Sequence, residues 1–372
     1  MNTSIRGNYV KLIAFFLVAA LLVAAFGFAT EGWWDGTTPD ADSSKVDADS
    51  NKADNDKNTQ KEPENEQKEP EMYIPEFTNA LTGLETTEAA SRRRHYAFVI
   101  DPDSPLYGLS GADLVTEIPV EDGTTRLLAF TNELETLSKI GSLTASRDYI
   151  SNIAKFFNSA IISKGNDGKL EYDSCNLLGS IFDMSVHTGY YYTEYAQFTY
   201  TNGDLVSAGL YNANINTNTN SDKSLPYTFV DFGKASVTGS NSAKSVVIPL
   251  SSTLESEFYY SASTKSYSYS RNGVSKKDML NDTPLSFTNV FILLADTVTY
   301  EASDSTEMVM NTIGSGKGYY ISEGTYQEIT WESDTNGTLV LFDQARNILT
   351  VNRGNSYLAF VKSSKASDIK IS

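Results

Sequence analysis

Residues 92–132 read RRRHYAFVIDPDSPLYGLSGADLVTEIPVEDGTTRLLAFTN, and this stretch decides the fold class of the folded part. Three of its segments, 95–100, 112–119 and 125–131, are rich in β-branched and aromatic residues and end at turn residues such as Asp101-Pro102. Runs of this kind are typical of short β-strands joined by turns. The stretch therefore predicts three strands at the start of the folded part.

An amphipathic helix is predicted directly after these strands. Four apolar residues stand at positions i, i+3, i+4 and i+7, which places them on one helix face. They are Ile150, Ile153, Ala154 and Phe157. Ser146 is the predicted N-cap of this helix, and the segment 160–163 returns to a strand pattern. Strands that alternate with a helix indicate a mixed α/β domain, which we assign to residues 73–225.

The pattern becomes almost entirely β after the polar loop at 212–224. About ten short runs of strand length follow, separated by turn signals such as Asn272-Gly273 and Glu323-Gly324. The segment GSGKG at 314–318 lacks the spacing of a phosphate-binding loop, and we interpret it as a β-turn. The sequence thus predicts an α+β fold class, with a β-rich domain over 226–372 behind the mixed α/β domain.

An uncharged apolar run of 18 residues, 12–29, precedes all of this and follows Arg6 and Lys11. A helix of that length spans about 27 Å, close to the hydrocarbon thickness of a bilayer. The next basic residue is Lys45, so the charge bias places the N-terminus inside and the remainder outside. Residues 1–34 are either an uncleaved signal anchor or a signal peptide. The prediction is a single-pass cell-membrane protein with an extracytoplasmic C-terminal part, or a secreted protein if the leader is cleaved.

A polar segment separates this leader from the folded part. Residues 35–71 contain 12 acidic and 5 basic residues and hardly any apolar ones. Such a composition cannot bury enough apolar surface to offset the entropy of ordering the chain. We therefore predict a disordered acidic linker over 35–72, which would hold the folded part away from the membrane.

The overall composition excludes several classes of function. The chain has 29 basic and 47 acidic residues, a formal net charge of −18, so it would repel nucleic acid. Its single Cys and two His rule out an internal disulfide, a Cys-based zinc site and a three-His catalytic metal site. We predict no metal and no cofactor.

Seven stretches, taken in order, resemble one known family. They lie at 79–84 (NALTGL), 92–132, 139–162, around His187 (VHTGYY), at 272–278 (NGVSKKD), 314–331 and 351–361 (VNRGNSYLAFV). In this order they resemble the YerB-like lipoproteins of Gram-positive bacteria, which contain a domain of unknown function (3048) with N- and C-terminal parts. The resemblance implies an exported, membrane-attached protein with a two-part fold, and it implies no activity.

The sequence departs from the family pattern at three places. The lipobox Cys to which the lipid is usually attached is absent, and the apolar run stands in its place. Thr144 replaces the first of two usual arginines, whereas Arg147 keeps the second. Lys276 replaces a His two residues before the retained Asp278. Any chemistry that required this His would be missing here.

The polar residues of the first half form the candidate site. They are Asp101, Glu117, Glu121, Arg126, Arg147 and His187. Paired carboxylates can carry out acid–base hydrolysis, and arginines can hold carboxylates or phosphates bidentately. The alternative is purely structural, with Glu117 or Glu121 paired to the arginines to hold a hairpin and a helix start.

Two functions follow from these residues. No complete catalytic signature is present, which favours a membrane-tethered extracytoplasmic binding or assembly module over an enzyme. Its partners would be the membrane, through the N-terminal helix, and a cell-wall polymer or an envelope protein. The alternative is a carboxylate-dependent cell-wall hydrolase or transferase.

Overall fold

The computed structural model describes residues 72–165, 181–218, 224–302 and 305–372. The predicted leader and the predicted linker up to residue 71 lie outside the described residues. Within those four ranges, none of the helices is long and apolar enough to cross a bilayer. All four ranges belong to one compact unit, Lys68–Ser372.

Strands dominate the fold, with 43% of the described residues in strands and 13% in helices. The helices are α1 (Glu88–Ser91), α2 (Asp148–Phe156) and α3 (Gly203–Asn212), with 3-10 turns at Glu121–Gly123, Leu134–Thr136 and Ser363–Asp368. The strands are β1 (Tyr96–Ile100), β2 (Leu114–Pro119), β3 (Thr125–Thr131), β4 (Ile140–Gly141), β5 (Ala160–Ser163), β6 (Ile181–Asp183), β7 (Tyr192–Glu194), β8 (Phe198–Thr201), β9 (Thr228–Phe229), β10 (Asn241–Ser242), β11 (Ser245–Pro249), β12 (Glu255–Ser261), β13 (Ser266–Arg271), β14 (Val274–Ser275), β15 (Lys277–Asp278), β16 (Thr283–Pro284), β17 (Ser286–Phe287), β18 (Asn289–Ala295), β19 (Thr297–Ala302), β20 (Ser305–Met310), β21 (Gly314–Ser322), β22 (Thr325–Ser333), β23 (Leu339–Phe342), β24 (Thr350–Val351), β25 (Ser356–Lys362) and β26 (Lys370–Ile371).

The main sheet joins both halves of the chain. Its strand order is β10-β22-β21-β18-β25-β2-β3-β1-β5-β6, with β23 paired to β22. Strand β25, near the C-terminus, pairs in parallel with β2 on one side and β18 on the other. The division into two domains near residue 225 stays a prediction. The main sheet contains strands from both sides of this boundary, which are hydrogen-bonded to one another.

Both faces of the main sheet are covered, so its central strands are buried throughout. In β1 the side chains alternate: Phe98 packs into one cluster and Val99 into the other. The first cluster includes apolar residues of a second sheet, whose strand order is β14-β13-β12-β11-β26 with β17 paired to β13. The second cluster includes the apolar face of α2. The folded core therefore has the layers second sheet, main sheet and helix.

Helix α2 confirms the predicted apolar face and corrects its predicted start. Ile150 and Ile153 are fully buried. The N-cap is Arg147 in an extended conformation, not Ser146, and the cap side chain makes no capping hydrogen bond. The Arg147 carbonyl accepts from Ile150 N at 3.1 Å, and its guanidinium is turned towards Glu121. Helix α2 therefore begins one residue later than the sequence predicts, after an N-cap residue whose side chain forms an ion pair.

Two predicted hairpin turns are present, and one predicted turn is wrong. Asn272-Gly273 has φ of 48° and 73°, and Glu323-Gly324 has φ of 51° and 71°, the left-handed conformations that tight hairpins require. The segment 314–318 is not a turn, because it forms the first half of β21. The glycines of β21 allow the backbone of β18 to come close, since a Cβ on Gly318 would collide with the Ile292 carbonyl.

Candidate functional site

Four of the predicted site residues meet at one edge of the main sheet. Strands β1 and β2 are both antiparallel to β3, so their carboxyl ends lie at the same edge as the start of β3. This edge brings together an "edge cluster", which consists of Asp101, Glu121, Arg126 and Arg147. Open sheets commonly bind ligands outside the carboxyl ends of such strands.

Arg147 and Glu121 form a bidentate ion pair within the edge cluster. The Arg147 Nε lies 3.2 and 3.1 Å from the two Glu121 carboxylate oxygens, and Nη2 donates at 2.9 Å. Burial raises the pKa of Glu121, but the hydrogen bonds from Arg147, a backbone hydrogen bond and the charges of Arg147 and Arg126 together outweigh this and leave that pKa below its ordinary value of 4.5. The charge of Arg147 is therefore largely committed to Glu121.

The Glu121–Arg147 pair predicts a pH-dependent contribution to stability. Because the pKa of Glu121 is lowered in the folded chain, its stabilisation is present above the unfolded value and is lost as pH falls through the folded value. The Glu121→Gln variant should unfold at a lower temperature than the wild type above about pH 5, and this difference should shrink towards about pH 3. A difference that stays constant over this range would contradict the pairing.

Arg126 is the member of the edge cluster that lacks a complete set of partners. Its Nη1 donates to the Thr125 carbonyl at 3.0 Å, while its buried Nε has no hydrogen-bond partner among the described residues. Burial lowers the pKa of the Arg126 guanidinium, and the charge of Arg147 lowers it further. Asp101 and Glu121 offset part of this effect. A half-buried guanidinium with an unused donor is the property of this edge that points to a ligand.

Glu117 does not belong to the edge cluster, because it lies in the core between the two sheets. Its side chain is fully buried. The carboxylate accepts from five side chains on four other strands, which we call the "Glu117 hub". The donors are Thr125 at 2.6 Å, Ser256 at 2.8 Å, Tyr269 at 3.3 Å, Arg271 and Tyr357. A carboxylate enclosed in this way cannot reach a substrate.

The groups around the Glu117 hub hold its carboxylate in place. Arg271, with 3% of its side chain exposed, also bonds Asp103 through Nε at 3.3 Å. Burial and then the Glu117 charge raise the pKa of Tyr269 and of Tyr357, so both phenols remain neutral donors. Glu117 therefore has the structural role that the sequence left open for it. Its partner Arg271 was not predicted from the sequence.

Thr144 and Lys276, the two residues of the folded part that depart from the family pattern, also lie beside the edge cluster. The Thr144 backbone N donates to the Val99 carbonyl at 3.0 Å, and Lys276 Nζ donates to the Pro102 carbonyl at 3.1 Å. Burial lowers the pKa of Lys276, and the charge of Arg271 lowers it further. Thus a lysine reaches the end of β1 where the family pattern has a histidine.

His187 is not joined to the edge cluster by any ion pair or hydrogen bond among the described residues. Its ring stacks on Phe182, with centroids 5.0 Å apart and an interplanar angle of 18°. It lies in the loop after β6, where its backbone N donates to the Asp183 carbonyl. The geometry assigns His187 a packing role, as the structural interpretation of the sequence allowed.

A cleft at the opposite edge of the main sheet was missed by the sequence reasoning. It has a volume of about 480 Å³, and its charged lining residues are Glu85, Asp113, Glu133, Lys139 and Asp278. Behind Asp113 lies His95, whose Nε2 is 3.2 Å from Asp113 Oδ2. His95 and Asp113 immediately precede β1 and β2, and two strands antiparallel to β3 begin at the same edge. The sequence could have indicated this contact, because His95 and Asp113 each directly precede a strand that pairs with the strand at 125–131.

The described residues contain no group of three or more His, Cys, Asp or Glu side chains placed to hold a metal ion.

Comparisons with known proteins identify a family without a known activity. The family model described as the N-terminal domain of a protein of unknown function (DUF3048) matches residues 81–212, and the model for its C-terminal domain matches residues 246–358. The crystal structure of the YerB protein from Bacillus subtilis is similar, with a TM-score of 0.68 and 21% sequence identity over 80% of this chain and 99% of that one. None of the curated proteins matches the sequence. The predicted resemblance is confirmed, and the likeness to YerB shows the shared fold.

Proposed function

Because this chain belongs to the DUF3048 family of proteins of unknown function, we propose its role from the chemistry of its own residues. The protein is a non-enzymatic, membrane-tethered extracytoplasmic module that binds an anionic cell-envelope polymer at the edge cluster. The ligand group is a phosphate or carboxylate, and Arg126 is its main contact.

The observation that carries this proposal is the incomplete pairing of Arg126. Two guanidinium groups lie within electrostatic range of each other and of the Asp101 and Glu121 carboxylates, and Glu121 is bonded to Arg147. Arg126 keeps a buried Nε donor without a partner. A planar guanidinium binds phosphate or carboxylate through two parallel hydrogen bonds. An anion that reaches the part of the Arg126 guanidinium open to solvent would offset its charge and reduce the repulsion between the two arginines.

The leader and the linker supply the tethering part of the proposal. The apolar run 12–29 would anchor or export the chain, and the acidic segment 35–71 has the composition of a flexible spacer. As a flexible coil, the spacer would reach roughly 30–40 Å. Such a reach suits a domain that contacts polymer outside the membrane surface.

The hydrolase alternative is weaker because its two carboxylates are not both available. A glycosidase needs an acid and a second carboxylate that face the same sugar bond. Glu117 is fully buried and bonded to five donors. Glu121 is held bidentately by Arg147. Neither group is placed to donate or accept a proton on a bound polymer.

The proposal predicts a charge-selective interaction that depends on Arg126. The full chain in detergent micelles should bind polyglycerol phosphate or polyglutamate and should not bind a neutral glucan. The Arg126→Gln variant should bind about 10–100-fold more weakly, since a charge-assisted hydrogen bond contributes about 1.5–3 kcal/mol. Arg126→Lys should fall between the two, because it keeps the charge without the planar fork.

The matched control is Arg346→Gln, which removes an arginine whose side chain is 57% exposed and lies outside the edge cluster. It should bind as the wild type does. Equal binding by wild type and Arg126→Gln would refute the role of Arg126, and no binding to either anionic polymer would refute the site. A C-terminal part protected from protease in intact cells would refute the tether.

A further inference from the structure

The cleft at the end of β3, at the edge of the main sheet opposite Arg126, is a second candidate site. Its volume of about 480 Å³ lies within the range of about 300–1,000 Å³ typical of small-molecule pockets. Its lining combines hydroxyl and amide groups, such as Ser110, Thr131 and Asn355, with three leucines. Two of the leucines, Leu84 and Leu280, are each 48% exposed. The cleft therefore offers polar groups together with an exposed apolar surface.

The charge in the cleft is negative after internal pairing is taken into account. Lys139 is the basic lining residue, and its Nζ is bonded to Glu194 at 2.8 and 2.9 Å. Asp278 is also committed, since it accepts from Gly108 N, Ser110 N and Oγ, and Leu280 N. Glu85 accepts from the Tyr73 hydroxyl at 2.5 Å. Glu85, Asp113 and the exposed Glu133 carry the negative charge that remains along the cleft.

Asp113 is supported from behind by a buried imidazole. His95 is 3% exposed, and its Nε2 lies 3.2 Å from Asp113 Oδ2. The two atoms are close but not aligned for a hydrogen bond, and neither has another hydrogen-bond partner among the described residues. The Asp113 side chain is 16% exposed. The result is an incompletely satisfied carboxylate at the wall of a cleft, oriented by a histidine that itself does not face the cleft.

We propose that this cleft binds a small ligand with a primary ammonium group, of the size and chemistry of an amino sugar. The ammonium group donates to Asp113, and Glu133 adds a second negative charge at the mouth. Hydroxyl and amide groups of the lining bond the hydroxyls of the ligand, and the two exposed leucines contact its apolar ring face. A ligand of this kind would bond the part of the Asp113 carboxylate that is open to the cleft, because Oδ2 is buried against His95.

Five of the stretches that resemble the family contribute to this cleft. Thr82 comes from 79–84, Asp113 from 92–132, Lys139 from 139–162, Asp278 from 272–278 and Asn355 from 351–361. Segments from both ends of the folded part meet here, because β2, β3 and β25 are neighbours in the main sheet. The cleft is thus assembled by the common fold and does not belong to one loop.

A pair of sugars that differ in charge tests the proposal. Isothermal titration of the full chain in detergent micelles compares the β-1,4-linked glucosamine disaccharide with its fully N-acetylated form, which has no ammonium group. The amine should bind at least tenfold more tightly. The same titration with Asp113→Asn should lose about 10–100-fold in affinity for the amine. The imidazole NMR signals of His95 should shift on titration of the wild type with the amine.

The matched control is Asp282→Asn, which removes the same charge from an exposed residue that does not line the cleft. It should bind the amine as the wild type does. If Asp113→Asn fails to fold, the two sugars on the wild-type chain still decide the matter. Equal affinity for both, no saturable binding of the amine up to millimolar concentration, or equal loss in Asp282→Asn would overturn the proposal.

Discussion

Glu117→Gln is expected to destabilise the folded chain by about 3–5 kcal/mol, although it keeps the size and shape of the side chain. The substitution removes the charge that neutralises Arg271 in the core. Arg271 has 3% of its side chain exposed, and its remaining anionic partner is the exposed Asp103 at 3.3 Å. An uncompensated buried charge is among the most destabilising changes that a core can undergo. Urea unfolding with an unchanged m-value measures this loss.

Two further variants separate the ion pair from ordinary packing. The Glu117→Gln, Arg271→Met double variant should be more stable than the sum of the single effects predicts, by about 0.5–3 kcal/mol, because it removes both charges together. Glu332→Gln is the matched control, since it breaks an Arg–Glu pair whose side chains are 57% and 50% exposed. That control should change stability by less than about 1 kcal/mol. A loss in Glu117→Gln no larger than in this control would contradict the hub.

Asp278→Ala is the second substitution with a large expected effect, about 3 kcal/mol or more of lost stability. Asp278 is fully buried and accepts four hydrogen bonds. Three of the donors are backbone N–H groups, of Gly108, Ser110 and Leu280, and each buried donor left unpaired costs about 1–3 kcal/mol. Water entering the cleft would recover part of this loss.

The local readout for this prediction is hydrogen exchange. The backbone amides of Gly108 and Ser110 should exchange much faster in Asp278→Ala than in the wild type, because both lose their acceptor. Asp282→Ala is the control from the same hairpin, with a side chain that is 77% exposed. It should leave these two amides protected. Unchanged protection in Asp278→Ala would show that the loop at 108–110 is held by other contacts.

The local structure of the chain could be predicted well, because it depends on short-range patterns. The strand at 125–131 and the apolar face of α2 follow directly from residue periodicity. The hairpins at Asn272-Gly273 and Glu323-Gly324 follow from the few residues that adopt positive φ. The exception at 314–318 is instructive. The glycines of this segment predicted a turn. In the structure they lie in β21, two of them at positions where a carbonyl of β18 comes too close for a side chain.

The candidate site could be predicted only in part. Asp101, Glu121, Arg126 and Arg147 were singled out together, and the structure brings them together because they lie at strand and helix ends near one another in the chain. Glu117 was grouped with them because it is four residues from Glu121. Its side chain instead enters the core, where it meets Arg271 and Tyr357 from strands distant in sequence.

What the sequence determined by itself was the kind of several elements, such as the strand at 125–131 and α2, together with the family and the charge that argues against nucleic acid, since these depend on composition and local spacing. Only the tertiary structure decided which polar groups face each other. The insertion of β25 between β2 and β18, and the pairing of β1 and β2 with β3, created both the Glu117 hub and the His95–Asp113 pair. Most contacts of the hub join residues more than a hundred positions apart, and such contacts leave no periodic trace in the chain, because the sheet determines which residues become neighbours.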